Sequence, residues 1–248
     1  AADRVFFNSR YHLEDWFDEL PRCLKHFPDF THLHHMPEVH AKSVVLPVGI
    51  DLARLEMARY SPSKDAPPLV LWNQRWEYDK DPQTFFRALY ALMDDDVPFR
   101  VALAGSNVRQ QPEEFEAARA RLGKRVVHYG RADAGTYARL LWQADVVVST
   151  ALHEFFGIAV IEAIFCGCFP VLPNRLVYPE LIPASHHGNC LYDDVDGLVA
   201  RLYWALTHRS DARTIGGELC TTAARFDWER IAPQYDTALE ALADSAMG

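Results

Sequence analysis

Short apolar runs alternate with amphipathic stretches along most of this chain. Six runs have the length and apolar content of buried strands: residues 69–72, 100–104, 126–129, 144–150, 169–172 and 189–192. Apolar side chains at helical spacing predict helices that begin at Asp81-Pro82 and at 155–157, a short one near 177–180, and longer ones at 111–122, 134–143, 196–207, 211–224 and 227–243. Strands that alternate with helices indicate an α/β domain: a Rossmann-like, doubly wound parallel sheet of about six strands with helices on both faces.

The beginning of the chain follows a different pattern, and we divide the chain into residues 1–43 and residues 44–248. The first part is predicted to contain a strand at 3–7, an aromatic-rich helix near 12–20 and an irregular surface connector. The second part begins with a short strand at 44–46 and the turn Pro47-Val48-Gly49-Ile50-Asp51. A polar loop at 53–68 then leads into the main domain.

The stretch STALHEFFGIAVIEAIFCGCFPVLP, residues 149–173, joins two predicted strands through a polar turn and one helix. Such a βαβ unit delivers its turn and the helix N-terminus to the ligand edge of a parallel sheet. The first turn of a helix has unpaired N–H groups and the positive end of the helix dipole, and Gly157 permits a close approach to the backbone. The backbone at Phe156, Gly157 and Ile158 is therefore predicted to bind an anion such as a phosphate.

Two carboxylates bracket this turn, Glu154 before the helix and Glu162 within it, with seven residues between them. From Gly157 to Glu162 a helix rises about 7.5 Å, close to the separation of a diphosphate from the ribose of the same nucleotide. A carboxylate on an otherwise apolar helix is costly unless it is hydrogen-bonded. Ribose hydroxyls are one interpretation of Glu162, and a neighbouring backbone N–H is the other. Glu154 is either a ligand contact or a charge that complements the helix dipole.

Two cations, Arg75 and Lys80, follow the first strand of the main domain and precede the helix that Asp81-Pro82 opens. This position is the carboxyl end of a strand, where a doubly wound sheet binds its ligand. The planar fork of an arginine and the point charge of a lysine together suit a diphosphate. The alternative is that both side chains are solvated loop cations.

The string HEFFGIAVIE resembles the E-x7-E signature of the retaining glycosyltransferases of the two-domain GT-B type, family 4. With WNQRWEYDKDP upstream and CGCFPVLPNRLVYPELIP downstream, it is similar to the subgroup that mannosylates queuosine in tRNA. The resemblance is strong over residues 67–192. Asp81 departs from the pattern, because a Gly is common at this position in the wider family.

The resemblance implies that the chain is the C-terminal, donor-binding half of a GT-B enzyme, whose N-terminal half would bind the acceptor. It implies a retaining, metal-independent transfer of a hexose from a nucleotide-diphosphate sugar, GDP-mannose in this subgroup, with no further cofactor. The donor phosphate would itself help to take the acceptor proton. Because residues 1–43 resemble the end of the acceptor-binding half, we expect this chain alone to transfer nothing.

The resemblance also implies a role for each residue of the motifs. Arg75 and Lys80 would bind the donor diphosphate and stabilise its departing charge, Glu154 would hold hydroxyls of the sugar, and Glu162 would hold those of the ribose. Arg75, Lys80 and Glu154 are thus the predicted catalytic residues. Tyr129 falls where related enzymes hold the nucleotide base, and a core aromatic is an equally good interpretation of it.

Other functions remain open on the sequence. A transferase of the same fold could use another nucleotide sugar and another acceptor. A sugar-nucleotide epimerase or a glycan phosphorylase shares the two-half architecture but would have a different carboxylate arrangement or a cofactor lysine. A non-catalytic nucleotide-binding module would bind nucleotide and remain inactive. The chain contains neither G-x-G-x-x-G nor G-x4-G-K-[ST], which argues against an ordinary dinucleotide or P-loop NTPase site.

Composition restricts the environment and the partners of the protein. Of its 248 residues, 49% are hydrophobic and 24% are charged, as in an ordinary globular protein. No apolar run reaches the ~20 residues that span a bilayer. Together with five cysteines at no framework-like spacing, this predicts a cytoplasmic protein without a membrane partner. A net charge of −9 gives no electrostatic help in binding nucleic acid, so a tRNA would be held mainly by the missing N-terminal half.

No metal site is predicted from the sequence. His32, His34, His35 and His40 in the connector have no Cys or carboxylate set at ligand spacing beside them. The acidic clusters at 94–96 and 193–196 fall at the ends of elements and are interpreted as solvated turns. Cys166-Gly167-Cys168 is interpreted as a tight turn of small buried residues rather than a redox or metal pair.

Overall fold

A computed structural model describes residues 2–27, 29–60, 66–107 and 113–247. For residues 245–247 it describes the backbone only. Contacts divide the chain into two compact units. One consists of Ala1–Ile50 with Arg225–Gly248, and the other is Asp51–Ala224. Each unit has its own parallel sheet, of two strands in the first and of six in the second.

The strands are β1 (Val5–Phe7), β2 (Ser43–Val45), β3 (Leu69–Trp72), β4 (Arg100–Ala104), β5 (Val126–Gly130), β6 (Val146–Val148), β7 (Phe169–Pro173) and β8 (Leu191–Tyr192). The α-helices are α1 (Arg10–Leu24), α2 (Met36–Ala41), α3 (Ala53–Met57), α4 (Pro82–Asp94), α5 (Glu113–Leu122), α6 (Ala134–Gln143), α7 (Ile158–Phe165), α8 (Tyr178–Leu181), α9 (His187–Cys190), α10 (Val195–Thr207), α11 (Arg209–Ala223) and α12 (Trp228–Met247). Single turns of 3-10 helix lie at Leu33–His35, Tyr78–Lys80, Gly123–Arg125, Ala184–His186 and Ala224–Phe226.

The first unit joins the two ends of the chain. Strands β1 and β2 pair in parallel, with Phe7 opposite Val45. Further along, an isolated parallel bridge pairs Ile50 with Asp227, immediately before α12. The division that we predicted between residues 43 and 44 falls inside β2, because the pairing with β1 joins β2 to the residues before it.

The second unit is built on a six-stranded parallel sheet in the order β5-β4-β3-β6-β7-β8. The chain extends the sheet on one side of β3 through β4 and β5, and then on the other side through β6, β7 and β8. Because crossovers between parallel strands are as a rule right-handed, this order places helices on both faces of the sheet. Helix α4 packs with α5 and α10, whereas α7 packs with α6 and α11. The predicted Rossmann-like, doubly wound α/β sheet is confirmed, and its topological switch point lies between β3 and β6.

The central strand β3 is buried on both faces. All four of its residues, Leu69 to Trp72, are inaccessible to solvent. A continuous apolar run is typical of a parallel strand that helices cover on both sides. The Trp72 ring lies 5.6 Å from the ring of Phe85 in α4 and 5.3 Å from that of Phe115 in α5. This packing gives the loop that follows β3 a rigid starting point.

Some predicted elements differ from those observed. The polar loop predicted at 53–68 contains α3, because Leu52 and Leu55 are buried and anchor one face of this turn; residues 61–65 lie outside the described residues. The predicted irregular connector includes α2, which has a proline in its first turn. The strand predicted at 189–192 begins only at Leu191, since α9 continues to Cys190. The first two residues of the helix predicted at 111–122 lie outside the described residues.

Candidate functional site

Two loops meet at the switch point of the sheet. One is the loop of residues 73–81 that follows β3, and the other is the turn of residues 149–157 that leads from β6 to α7. The buried Thr150 hydroxyl donates to the carbonyl oxygens of Lys80, at 2.7 Å, and Asp81, at 2.9 Å. The N–H of Leu152 donates to the carbonyl oxygen of Asp79 at 2.8 Å. These bonds bring together the two motifs that the sequence marked out, because the carboxyl ends of neighbouring parallel strands share one edge.

Lys80 lies at the junction of the two loops and is only 7% exposed. Its Nζ donates to the carbonyl oxygen of His153 at 2.7 Å. The same atom lies 3.1 Å from Oδ2 of Asp79 and 3.5 Å from Oε2 of Glu154. Two carboxylates and a carbonyl oxygen thus surround this buried ammonium group and hold it at a fixed point of the sheet edge.

The backbone conformation of Asp81 and the cap that its side chain forms account for its departure from the family pattern. Its φ of 45° and ψ of 59° lie in the left-handed region, where glycine is favoured and aspartate is tolerated. Its carboxylate accepts a hydrogen bond from the N–H of Thr84 at 3.2 Å and so caps α4. The cap offsets part of the backbone strain that a side chain introduces here.

Glu154 caps the turn before α7. Its Oε1 accepts hydrogen bonds from the N–H groups of Gly157, at 3.0 Å, and Phe156, at 3.3 Å. Its other oxygen faces Lys80. Two of the three backbone groups predicted to bind an anion are therefore directed at this carboxylate. The arrangement combines the two interpretations of Glu154, since the side chain complements the helix end and also lies at the predicted ligand edge.

Helix α7 begins at Ile158, later than the entry predicted at 155–157. Gly157 is its N-cap, with φ of 84°, and a Cβ there would meet Cδ1 of Leu181 at 3.4 Å. The N–H groups of Val160 and Ile161 donate to the Gly157 carbonyl oxygen. Within the described part of the chain, the N–H groups of Ile158 and Ala159 have no acceptor. Unpaired N–H groups in the first turn of a helix are donors suited to an anion.

Arg75 differs from Lys80 in its surroundings. Its side chain is 63% exposed and lies 2.8 Å from Glu77 and 3.9 Å from Asp79. Exposed ion pairs of this kind contribute little stability. The guanidinium can therefore exchange Glu77 for a ligand oxygen at low cost.

Glu162 is buried in a network of side chains. Its Oε2 accepts a hydrogen bond from Oη of Tyr137 at 2.7 Å, and its Oε1 accepts one from the guanidinium of Arg54. Tyr137 Oη in turn accepts a hydrogen bond from Nδ2 of Asn73 at 3.1 Å. The partners within the protein are thus side chains rather than the backbone N–H that one interpretation predicted. A carboxylate has about four acceptor positions, so this network leaves lone pairs for a ligand.

Tyr129 is the penultimate residue of the edge strand β5 and is half-buried. Its ring lies 4.8 Å from that of Trp76, which belongs to the loop after β3, and 4.6 Å from the guanidinium carbon of Arg119. Its hydroxyl donates to Glu116 at 2.9 Å. The same residue borders a cavity of about 740 Å³ between α5 and β5. This position suits a base contact at the end of a nucleotide, and it also serves the packing of the loop.

Three residues of this site were not predicted from the sequence: Arg54, Asn73 and Tyr137. Asn73 directly follows β3, so the rule that places ligands at strand ends could have identified it. Arg54 belongs to a segment that we predicted as a polar loop. Tyr137 lies within an amphipathic helix, where the sequence pattern does not distinguish it from a packing residue.

Among the described residues, no group of three or more His, Cys, Asp or Glu side chains could hold a metal ion. All five cysteines are free. Burial raises the pKa of the Cys166 and Cys168 thiols well above their ordinary value, in agreement with the interpretation of this turn as small buried residues. None of the described helices is both long and apolar enough to cross a bilayer.

Comparisons with known proteins bear on this site. A family model described as "Glycosyl transferases group 1" matches residues 54–217, and one described as "tRNA-queuosine alpha-mannosyltransferase N-terminal" matches residues 1–50. The chain is 35% identical over 210 residues to a tRNA-queuosine alpha-mannosyltransferase of Drosophila melanogaster, which covers 82% of this chain and 55% of that protein. It is 26% identical over 177 residues to a GDP-mannose:cellobiosyl-diphosphopolyprenol alpha-mannosyltransferase of Xanthomonas campestris, which covers 67% of this chain and 45% of that protein.

The chain spans about half the length of these relatives. Among solved structures, the sucrose-phosphate synthase of Thermosynechococcus elongatus aligns with a TM-score of 0.74 at 22% identity, covering 99% of this chain and 59% of that one. A likeness at this identity concerns the fold alone. It confirms the fold class that the sequence predicted.

Proposed function

Because the chain belongs to the group 1 glycosyl transferases, we propose that it is the donor-binding half of an enzyme that transfers mannose from GDP-mannose to queuosine in tRNA. The similarity to a relative with this activity in its name supports the acceptor. The second relative, named for transfer from GDP-mannose, supports the donor. The observation that carries the proposal is the junction at Lys80, where both motif loops converge on one buried cation.

The diphosphate of the donor would bind at this junction. Lys80 provides a fixed charge, and Arg75 provides a mobile guanidinium at the rim. The N–H groups of Ile158 and Ala159 add two backbone donors and the positive end of a helix dipole. Cations and aligned N–H groups neutralise a diphosphate without a metal ion, which supports a metal-independent enzyme.

The proposed reaction breaks the bond between the sugar anomeric carbon and the diphosphate oxygen. Negative charge then develops on the diphosphate, and Lys80 stabilises it more strongly than an exposed cation would, because the surroundings are of low dielectric constant. The acceptor hydroxyl forms the new bond on the face that the diphosphate leaves, and its proton passes to a donor phosphate oxygen. The anomeric configuration is thereby retained.

Glu154 and Glu162 would recognise the two sugars of the donor. Glu154 lies beside Lys80, and the transferred sugar would extend toward it from the diphosphate. Glu162 lies further along α7, at about the distance that separates a diphosphate from its ribose. Both are acceptor-only groups when ionised, and hydroxyl groups are the donors that match them.

The rest of the enzyme would hold the tRNA. This chain has a net charge of −9, which opposes binding of nucleic acid in the absence of a basic partner surface. We therefore propose that this chain alone binds the donor and transfers nothing, and that the enzyme acts on tRNA in the cytoplasm.

A second candidate function is mannosyl transfer from the same donor to another acceptor. The Xanthomonas relative is named for a lipid-linked acceptor, so the donor half is compatible with different acceptors. The two functions predict different products. An extended protein that contains this chain would be incubated with GDP-mannose and queuosine-containing tRNA, and the digested nucleosides would be examined for a hexose mass increment.

An increment on queuosine supports the proposal, and an increment produced by the 248-residue chain alone contradicts the division of labour between the halves. If the extended protein consumes GDP-mannose and leaves queuosine unmodified, the second function is favoured. Binding of GDP to this chain should persist in EDTA. Loss of binding in EDTA contradicts the metal-independent site.

A further inference from the structure

A partly buried hydrogen-bond chain runs from the end of β3 to the carboxylate of α7. Nδ2 of Asn73 donates to Oη of Tyr137 at 3.1 Å, and Oη of Tyr137 donates to Oε2 of Glu162 at 2.7 Å. Asn73 is 6% exposed and Glu162 is 3% exposed. Two partly buried hydrogen bonds thus connect the loop after β3 with α6 and α7.

The second contact of Asn73 determines how its amide is oriented. Nδ2 also donates to the carbonyl oxygen of Ala159 at 2.8 Å. In the reversed orientation, Oδ1 would face this carbonyl oxygen, and two acceptors would repel each other. Oδ1 is buried and has no partner among the described residues, which costs stability. The contribution of Asn73 therefore lies in the two bonds that Nδ2 donates, which tie Tyr137 and the first turn of α7 to the end of β3.

Tyr137 remains a hydrogen-bond donor at any physiological pH. Burial raises the pKa of its phenol well above the ordinary value, and the Glu162 carboxylate beside it raises that pKa further. Because Asn73 donates to the same oxygen, the single phenolic hydrogen is directed at Glu162. One oxygen of the carboxylate is thus held from the interior, while Arg54, whose side chain is 47% exposed, contacts the other.

We propose that Tyr137, held in place by Asn73, is a positioning residue of the donor site that directs the Glu162 carboxylate at the ribose of the bound nucleotide. The inference rests on the proposed function, in which Glu162 accepts hydrogen bonds from ribose hydroxyls. A carboxylate fixed on its inner side presents its remaining lone pairs in one direction before the donor arrives, so binding need not restrict its rotation. Without the phenol, the carboxylate is restrained only by Arg54 and turns toward the solvent side.

The test compares ligands with and without ribose hydroxyls. Tyr137→Phe removes one oxygen and keeps the ring. In the 248-residue chain it should weaken GDP binding about tenfold, the loss expected for one hydrogen bond to a charged group. Binding of inorganic pyrophosphate, which contacts only the cations and the helix end, should be unchanged. Binding of 2′,3′-dideoxy-GDP should also be unchanged, because this ligand lacks the ribose hydroxyls that would donate hydrogen bonds to Glu162.

Two further variants separate positioning from folding. Tyr192→Phe is the matched control, because it also removes a buried phenol, one that donates to the Ser149 carbonyl oxygen at 2.8 Å. It should lower thermal stability and leave the ratio of GDP to pyrophosphate affinity unchanged. Asn73→Ala keeps the phenol but removes its support and also the bond to the Ala159 carbonyl oxygen in the first turn of α7. It should therefore weaken pyrophosphate binding slightly and GDP binding by a larger factor. If Tyr137→Phe does not fold, the GDP and pyrophosphate affinities of Asn73→Ala replace those of Tyr137→Phe in the comparison.

Equal losses for GDP and pyrophosphate would overturn the proposal, because they indicate general damage to the fold. An unchanged GDP affinity in Tyr137→Phe would overturn it as well. If the unaltered chain binds neither GDP nor another nucleoside diphosphate, the proposed function itself fails. That outcome is recognised before any variant is measured.

Discussion

The Nζ atom of Lys80 lies 3.5 Å from Oε2 of Glu154, and neither side chain is more than a quarter exposed. In this pair, the cation that would bind the diphosphate contacts the carboxylate that would bind the transferred sugar. Each neutralises the other in a region of reduced dielectric constant, where an unpaired charge is costly. A change at one of them should therefore affect both the stability of the turn and the binding of the donor.

Lys80 and Arg75 should contribute similarly to binding and differently to stability. We expect each alanine substitution to weaken GDP binding by about 1.5–3 kcal/mol, because a charge-assisted hydrogen bond is lost. Lys80→Ala should also lower the free energy of unfolding by about 1–3 kcal/mol, since it leaves Glu154 and the His153 carbonyl oxygen without their buried partner. Calorimetry measures the binding, and urea denaturation measures the stability.

Arg75→Ala is the matched control for stability. Its side chain is exposed and its ion pairs are weak, so the free energy of unfolding should stay within about 0.5 kcal/mol of the original value. Affinity for GDP that is unaffected by either substitution contradicts the assignment of these cations to the diphosphate.

Glu154→Gln should separate the sugar from the nucleotide. The glutamine oxygen can still accept from the Gly157 N–H, so GDP should bind nearly as before. GDP-mannose should lose the additional affinity that its mannose provides, because a neutral amide accepts hydroxyl hydrogen bonds less strongly than a carboxylate. Calorimetry with both ligands makes the comparison.

Glu162→Ala is the contrasting variant for the same experiment. It should weaken GDP and GDP-mannose together, since both ligands contain the ribose. Should Glu154→Gln and Glu162→Ala reduce the two affinities by the same factor, the roles proposed for these carboxylates are wrong.

Thr150 should couple the two loops of the site. Thr150→Val keeps the shape of the side chain and removes the hydroxyl that bonds the carbonyl oxygens of Lys80 and Asp81. The Lys80 carbonyl oxygen would then lose its donor, and the Asp81 carbonyl oxygen would keep only the N–H of Phe85, so we expect the free energy of unfolding to fall by about 1–3 kcal/mol. GDP affinity should fall as well, because the loop of Lys80 is no longer tied to the turn before α7.

Thr150→Ser is the control, because it retains the hydroxyl and loses only a methyl group. It should recover most of the GDP affinity even if some packing stability is lost. Chemical denaturation and calorimetry of both variants test the coupling. A valine variant that binds GDP as the serine variant does would show that the hydroxyl has no part in arranging the site.

Asp81 should respond to substitution according to its backbone conformation. Asp81→Ala removes the cap of α4 and keeps a Cβ at a φ of 45°, so we expect a loss of about 1–2 kcal/mol. Asp81→Gly also removes the cap but relieves the strain, and its stability should lie within about 0.5 kcal/mol of the original. Thermal or urea unfolding ranks the three proteins, and an alanine variant as stable as the glycine variant contradicts this account.

Much of the second unit could be predicted from local pattern. The apolar runs identified the strands because a parallel strand is buried on both faces and must be continuously apolar. Helix α6 was predicted with its observed bounds, residues 134–143, since the apolar spacing and the flanking residues agree. The short helices α2 and α3 were missed, because a helix of five or six residues has too little periodicity to be distinguished from a polar loop.

The residues of the candidate site also fall into two groups, those that the sequence identifies and those that it does not. Arg75, Lys80, Glu154 and Glu162 could be identified as candidates because their spacing is local and because a parallel sheet brings its strand ends to one edge. The partners of Glu162 could not, since Arg54, Asn73 and Tyr137 come from separate segments of the chain. Which side chains meet in a buried hydrogen-bond chain depends on how the elements pack and on the direction of each side chain. Sequence periodicity indicates which face of an element is apolar, and only the packed structure determines what lies opposite that face.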